Sequence, residues 1–248
     1  MRLVAAVALA AALLAPAPPD HVTVHLIGDS TMADKPSPEV NPERGWGQAL
    51  PSLFDDRVTV RNHAVNGRST RSFIAEHRWQ AVLDSLEPGD YVFIQFGHND
   101  EKVEDSTRFT NPYTGYRRNL ERFVVETRAK GARPVLFTPI VRRHFNEHGV
   151  LEDTHGAYPL VVRLVARDLA VPLVDLQLMT EDLVLGAGPE GSKSLYVWTT
   201  EGQFPAFPAA KQDDTHLSPA GAAAVARLAA RGLRDGKVPL ASHLRIAR

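Results

Sequence analysis

The sequence has no cysteine. Disulfides, a thiol nucleophile, cysteine-bound zinc and a lipid-modified cysteine anchor are therefore excluded, and stability has to come from a packed core. Charge of a dominant sign is also missing. The 28 Lys and Arg residues nearly balance 29 Asp and Glu, for a net charge of −1. No overall field draws the chain to nucleic acid or to an acidic membrane, and neither is expected as a partner. The apolar stretch from Leu3 to Leu14 falls short of the ~20 residues that a spanning helix needs. No internal repeat and no second domain boundary are evident. What remains is ordinary for a globular chain: 248 residues, 44% of them hydrophobic and 23% charged, enough for one sizeable core.

Residues 1–17 have the layout of a secretory signal. Arg2 supplies a positive start, Leu3 to Leu14 an apolar centre, and Ala15-Pro16-Ala17 a small-x-small site. Pro18 directly after that site would hinder cleavage there, so the cut is not fixed. The Pro-rich stretch to Asp20 reads as a linker. Export is expected, to the extracellular space or a periplasm, with residues 18–248 forming a single domain.

Within that domain, strand patterns alternate with helix patterns. His21 to Ile27, Arg57 to Ala64, Tyr91 to Phe96, Arg133 to Thr138 and Pro172 to Leu176 are rich in β-branched and aliphatic residues, as buried strands are. Helices are expected from about Thr70 to Leu86, Tyr116 to Lys130, Tyr158 to Ala170, up to about Leu185, and from Pro219 to Arg234, with a long loop between Leu185 and Gln212. Ser69 or Thr70 is the expected N-cap of the first, and Ser218-Pro219 starts the last. The alternation predicts an α/β fold with an about five-stranded parallel sheet and helices on both faces. Ligands of such sheets bind beyond the carboxyl ends of the strands. Ser30, Gly67 and Asn99 each follow a strand directly, so they are expected to cluster at that edge.

These residue types suit acyl transfer. A Ser hydroxyl needs a base and a site for the developing oxyanion. Asp213 and His216 stand three apart, close enough for the carboxylate to accept the imidazole Nδ1–H and leave Nε2 for the Ser30 proton. Asp214 is the competing acid, one residue out of that spacing. Gly67 can bring its N–H close to a reacting carbonyl, Asn99 carries an amide that can donate to it, and the N–H of Ser30 is a third donor. His144 and His148 lie four apart but lack the Glu of a zinc helix, so no metal is assigned.

Taken together, Gly28-Asp29-Ser30, Asn66-Gly67, Gly97-His98-Asn99-Asp100 and Asp213-Asp214-Thr215-His216 resemble the four hallmark blocks of the SGNH (GDSL-type) hydrolase superfamily, in order and across nearly all of the chain. The resemblance implies a flavodoxin-like three-layer α/β/α sandwich. It also implies a catalytic triad of Ser30, His216 and Asp213, an oxyanion hole of Ser30, Gly67 and Asn99, and no cofactor. A finer resemblance is to the rhamnogalacturonan acetylesterase-like branch, carbohydrate esterase family twelve. It is carried by Ile27 to Ala33, Gln95 to Asp100, Asp214-Thr215-His216 and Pro139 to Phe145. That branch implies removal of acetyl groups from an acetylated plant cell-wall polysaccharide or oligosaccharide, above all pectic rhamnogalacturonan. A monomer is expected. Arg142 or Arg143 could pair with a galacturonate carboxylate, and Arg143 is the assigned substrate-binding residue. Trp46 and Trp198 could stack on sugars or pack under their loops.

Overall fold

The computed structural model describes residues 21–205 and 207–245. The expected signal segment, 1–17, lies outside them. Five strands form a parallel sheet in the order β2-β1-β3-β4-β5. They are β1 (Val22–Gly28), β2 (Val58–Asn62), β3 (Tyr91–Gln95), β4 (Arg133–Phe137) and the short β5 (Leu173–Val174). The order reverses beside β1, which places the carboxyl ends of β1 and β3 at the crevice where α/β sheets bind ligands.

Strand periodicity sorts the core into two layers. Val24, Leu26, Phe93, Val135 and Phe137 face one side, while Ile27, Val92, Ile94 and Leu136 face the other. The first side is covered by α1 (Trp46–Ala49), α6 (Leu176–Gly191) and α7 (Pro219–Asp235). The second is covered by α2 (Thr70–Ala75), α3 (Arg78–Ser85), α4 (Arg117–Ala129) and α5 (Ala157–Asp168). Three layers result, as the family resemblance implied. The alanine content of α7 permits close approach. At its start, a Cβ on Gly221 would lie 1.8 Å from the Leu195 carbonyl oxygen, so only glycine fits. Ser218 caps this helix by accepting the Gly221 N–H, with Pro219 following.

Two expectations need correction. The helix expected from Thr70 to Leu86 is two helices, because His77 adopts φ +57 and breaks the run between α2 and α3. Ser69 caps α2 in a reciprocal capping box with Ser72. The stretch expected as a long loop from Leu185 to Gln212 is largely ordered. Helix α6 continues to Gly191 across a kink at Gly188, and β6 (Tyr196–Thr199) pairs antiparallel with β7 (Lys211–Leu217). The Asp213-to-His216 block therefore sits on a strand of this hairpin. Among the described residues, no helix is long and apolar enough to cross a membrane.

Candidate active site

Strand β1 delivers Ser30 into a tight elbow. Asp29 bends the chain: its Oδ1 accepts from the N–H and the hydroxyl of Thr31, and its carbonyl accepts from the N–H groups of Met32 and Ala33. Ser30 is only 8% exposed, but its hydroxyl opens into a cleft of about 440 Å³ lined also by Gly67, His98, Asn99 and His216.

The hairpin brings the base to that hydroxyl. His216 Nε2 lies 2.9 Å from Ser30 Oγ, placed to accept its proton. On the other side of the ring, Nδ1–H donates to Asp213 Oδ2 at 2.8 Å. Asp213 is fixed in turn. Its Oδ1 accepts the backbone N–H groups of Thr215 and His216, and Oδ2 lies 2.9 Å from Lys211 Nζ. Burial pushes the Asp213 carboxyl up, but the bonds from His216 and Lys211 outweigh it and hold the group well below the ordinary range. It stays ionised and fixes the imidazole tautomer.

The proposed oxyanion donors face the same space. Gly67 has φ +75, a conformation that favours glycine, in the turn after β2. Asn99 gives one amide hydrogen to the Arg68 carbonyl at 3.1 Å, which leaves the other free. Its Oδ1 lies 3.5 Å from Arg108 Nη1. A hydroxyl, an imidazole, a carboxylate and N–H donors, the groups that acyl transfer by a serine requires, thus meet at one sheet edge.

Beneath and beside them is a layer of buried charge. Lys35, 4% exposed, donates to the Ser30 carbonyl at 2.7 Å and to Asn66 Oδ1 at 2.6 Å, and pairs with Glu43 at 2.7 Å. His98 lies 3.3 Å from Asp29. Burial lowers its pKa to about 4 against the pull of Asp29, so its ring is neutral near pH 7. His155 bridges Glu101 and the Ile140 carbonyl, and Glu101 also pairs with Arg142. Asp100 accepts from Thr70 and Thr110 and ties the Asn99 loop to α2.

Ser30, Gly67, Asn99, Asp213 and His216 come together as the sequence predicts; Arg143 does not join them. Its guanidinium is buried, bonded to Asp214 Oδ1 at 2.7 Å, to the Pro189 carbonyl at 2.6 Å and to Ser192, and stacked on Trp198. With its donors engaged inside the protein, it braces the hairpin and does not face the cleft. Arg142, the alternative, lines the cleft but is neutralised by Glu101. Asp214 serves Arg143 and the Trp198 N–H, and so is not the triad acid. Trp46 is fully buried, its N–H on Gln95, which settles it as packing. His144 pairs with Glu152 on the surface, and no acidic or histidine cluster suited to a metal occurs among the described residues.

Lys35, Glu43, Lys211 and Arg108 were not predicted. They come from stretches that read as polar loop, with no spacing that distinguishes them. Only the fold shows which of many surface charges turn inward.

The model of the GDSL-like Lipase/Acylhydrolase family matches residues 26–224, a range that holds every one of the converging groups. The chain belongs to this family. A relative, the rhamnogalacturonan acetylesterase RhgT of Bacillus subtilis, is 44% identical over 223 residues, covering 90% of this chain and 94% of the relative. A second from the same organism, named as a probable rhamnogalacturonan acetylesterase, YesY, is 34% identical over 89% of this chain and 96% of its own. Among solved structures, the Bacillus subtilis protein YxiM superposes with a TM-score of 0.73 at 28% identity, covering 91% of this chain and 59% of that one. A variant of Axe2, an acetyl-xylooligosaccharide esterase of Geobacillus, shares the fold with a TM-score of 0.57 at 23% identity, over 85% and 93% of the two chains.

Proposed function

We propose that this GDSL-family protein is a serine acetylesterase that removes acetyl groups from plant cell-wall polysaccharide, above all rhamnogalacturonan. The observation that carries the chemistry is the hydrogen-bonded chain from Ser30 Oγ through His216 to Asp213. The substrate class is supported by the 44% identity with RhgT over nearly the full length of both chains.

The geometry supports the following steps. Ser30 Oγ attacks the acetyl carbonyl as its proton passes to His216 Nε2. Asp213 stabilises the imidazolium. The tetrahedral oxyanion takes hydrogen bonds from the N–H groups of Ser30 and Gly67 and the Asn99 amide. His216 then protonates the departing sugar oxygen as the C–O bond breaks, leaving an acetyl ester on Ser30. Water, giving its proton to His216, attacks that ester, and collapse releases acetate and restores the serine. No cofactor enters these steps. Export of the protein fits a polymeric substrate outside the cell.

Acetate release from acetylated rhamnogalacturonan, xylan and glucomannan tests the reading. The highest kcat/KM is expected on rhamnogalacturonan. Turnover of p-nitrophenyl acetate without release from any polysaccharide contradicts the substrate class and leaves the esterase chemistry standing.

A further inference from the structure

Glu43, Lys102, Arg108, Arg142 and His216 are the charged or titratable groups lining the cleft beside Ser30, together with the neutral ring of His98. Most are answered by an opposite charge: Glu43 by Lys35, Arg108 by Asp105, Arg142 by Glu101 and His216 by Asp213. Lys102 is different. Among the described residues its ammonium has neither a counter-charge nor a hydrogen-bond partner; only its backbone N–H is engaged, by the Asn99 carbonyl.

Arg108 lies close to the reacting position. It meets Asp105 through Nε at 2.9 Å. Its Nη1 is 3.5 Å from Asn99 Oδ1, and a Cβ on Gly67 would stand 3.7 Å from the same nitrogen. This side chain thus borders both proposed oxyanion donors. A guanidinium bound at Nε keeps further N–H donors for a second anion. Lys102 and Arg108 belong to one loop whose shape is set by backbone bonds from Asp105 to Lys102, Arg108 to Asp105 and Thr110 to Asp100. The loop presents an unanswered ammonium and a partly free guanidinium to the same cleft.

We propose that Lys102 and Arg108 form an anion subsite that holds the carboxylate of a uronate residue in the acetylated chain. The proposal rests on the polysaccharide acetylesterase reading and adds what part of the polymer is gripped and by which residues. Both groups can make charge-assisted bonds to a carboxylate oxygen. The pairing neutralises Lys102, the one cation lining the cleft that is left unpaired among the described residues. A neutral sugar gains no such contact, and the subsite therefore selects uronate-bearing polymers over neutral ones.

The test compares acetylated rhamnogalacturonan oligosaccharides with free carboxylates against the same material with the carboxylates methyl-esterified. For the wild type, kcat/KM is expected to favour the free acid by about tenfold. Added salt should shrink that preference, a readout that needs no variant. In Lys102→Met and in Arg108→Met the preference should fall by roughly fivefold or more each. A preference that persists undiminished in both variants, or is absent from the wild type, overturns the subsite while the esterase reading stands. If the wild type turns over p-nitrophenyl acetate but neither oligosaccharide, the polysaccharide reading falls and the subsite with it.

Discussion

The ammonium of Lys35 lies 2.7 Å from the carbonyl oxygen of Ser30, the proposed nucleophile. The same group holds Asn66, the neighbour of Gly67, so one buried cation ties the nucleophile elbow to the oxyanion turn. Glu43 balances it and approaches His216 Nε2 at 3.9 Å.

Replacing Lys35 by Met leaves Glu43 and two acceptors without their donor. Breaking a buried pair in this way costs roughly 3–5 kcal/mol of stability. Because Lys35 touches no substrate, kcat is expected to fall on the order of tenfold or more while KM changes little. Urea unfolding and steady-state kinetics on p-nitrophenyl acetate read the two effects separately. An unchanged kcat in folded protein would remove Lys35 from the positioning of the site.

Asn99→Ala removes one proposed oxyanion donor. A loss of about 10²–10³ in kcat is expected. Asp213→Asn keeps the shape but allows the wrong imidazole tautomer, with an expected loss of about 10⁴-fold. Turnover of p-nitrophenyl acetate reads both.

Arg143→Ala is expected to act on stability, since the residue braces the hairpin. Asp214 is partly exposed, which screens the pair, and the loss should be about 1–3 kcal/mol. Activity should drop by the same factor on acetylated pectin and on neutral acetylated xylan. A selective loss on pectin would return Arg143 to the substrate-binding role that the structure denies it.

Acid should destabilise the fold through histidines kept neutral. Burial lowers both His98 and His63 from 6.5 to about 4. Between those values the unfolded chain binds protons that the native one does not, so stability falls as pH drops from 6.5 towards 4 and is unaffected by these groups above 6.5. For the fully buried His98 the full change is on the order of 3 kcal/mol. Asp100, raised by burial to about 7, opposes this, because its native form keeps a proton that the unfolded form loses above 3.8. The two histidines outnumber it. Urea midpoints across this range should decline on acidification, and less steeply in His98→Gln.

Much of this was legible in the sequence, for a physical reason. Parallel strands buried on both faces leave apolar runs such as Tyr91 to Gln95, and the residues just past them must gather at one edge. That logic placed Ser30, Gly67 and Asn99, and the three-residue spacing placed Asp213 against His216. What sequence could not separate were side chains that differ only in direction. Arg142 and Arg143 are adjacent and chemically identical, yet one lines the cleft and the other is locked under Trp198. The β6–β7 hairpin was hidden because β7 carries Lys, Gln and two Asp residues where an apolar alternation would be expected. Its strand is half-buried and held by pairing with β6 and by the charges it serves.

The most direct test of the central claim is kcat for acetate release by Ser30→Ala. The hydroxyl that His216 deprotonates is then gone, and a fall of about 10⁴-fold or more is expected. Turnover close to that of the wild type would contradict the assignment of Ser30 as the nucleophile.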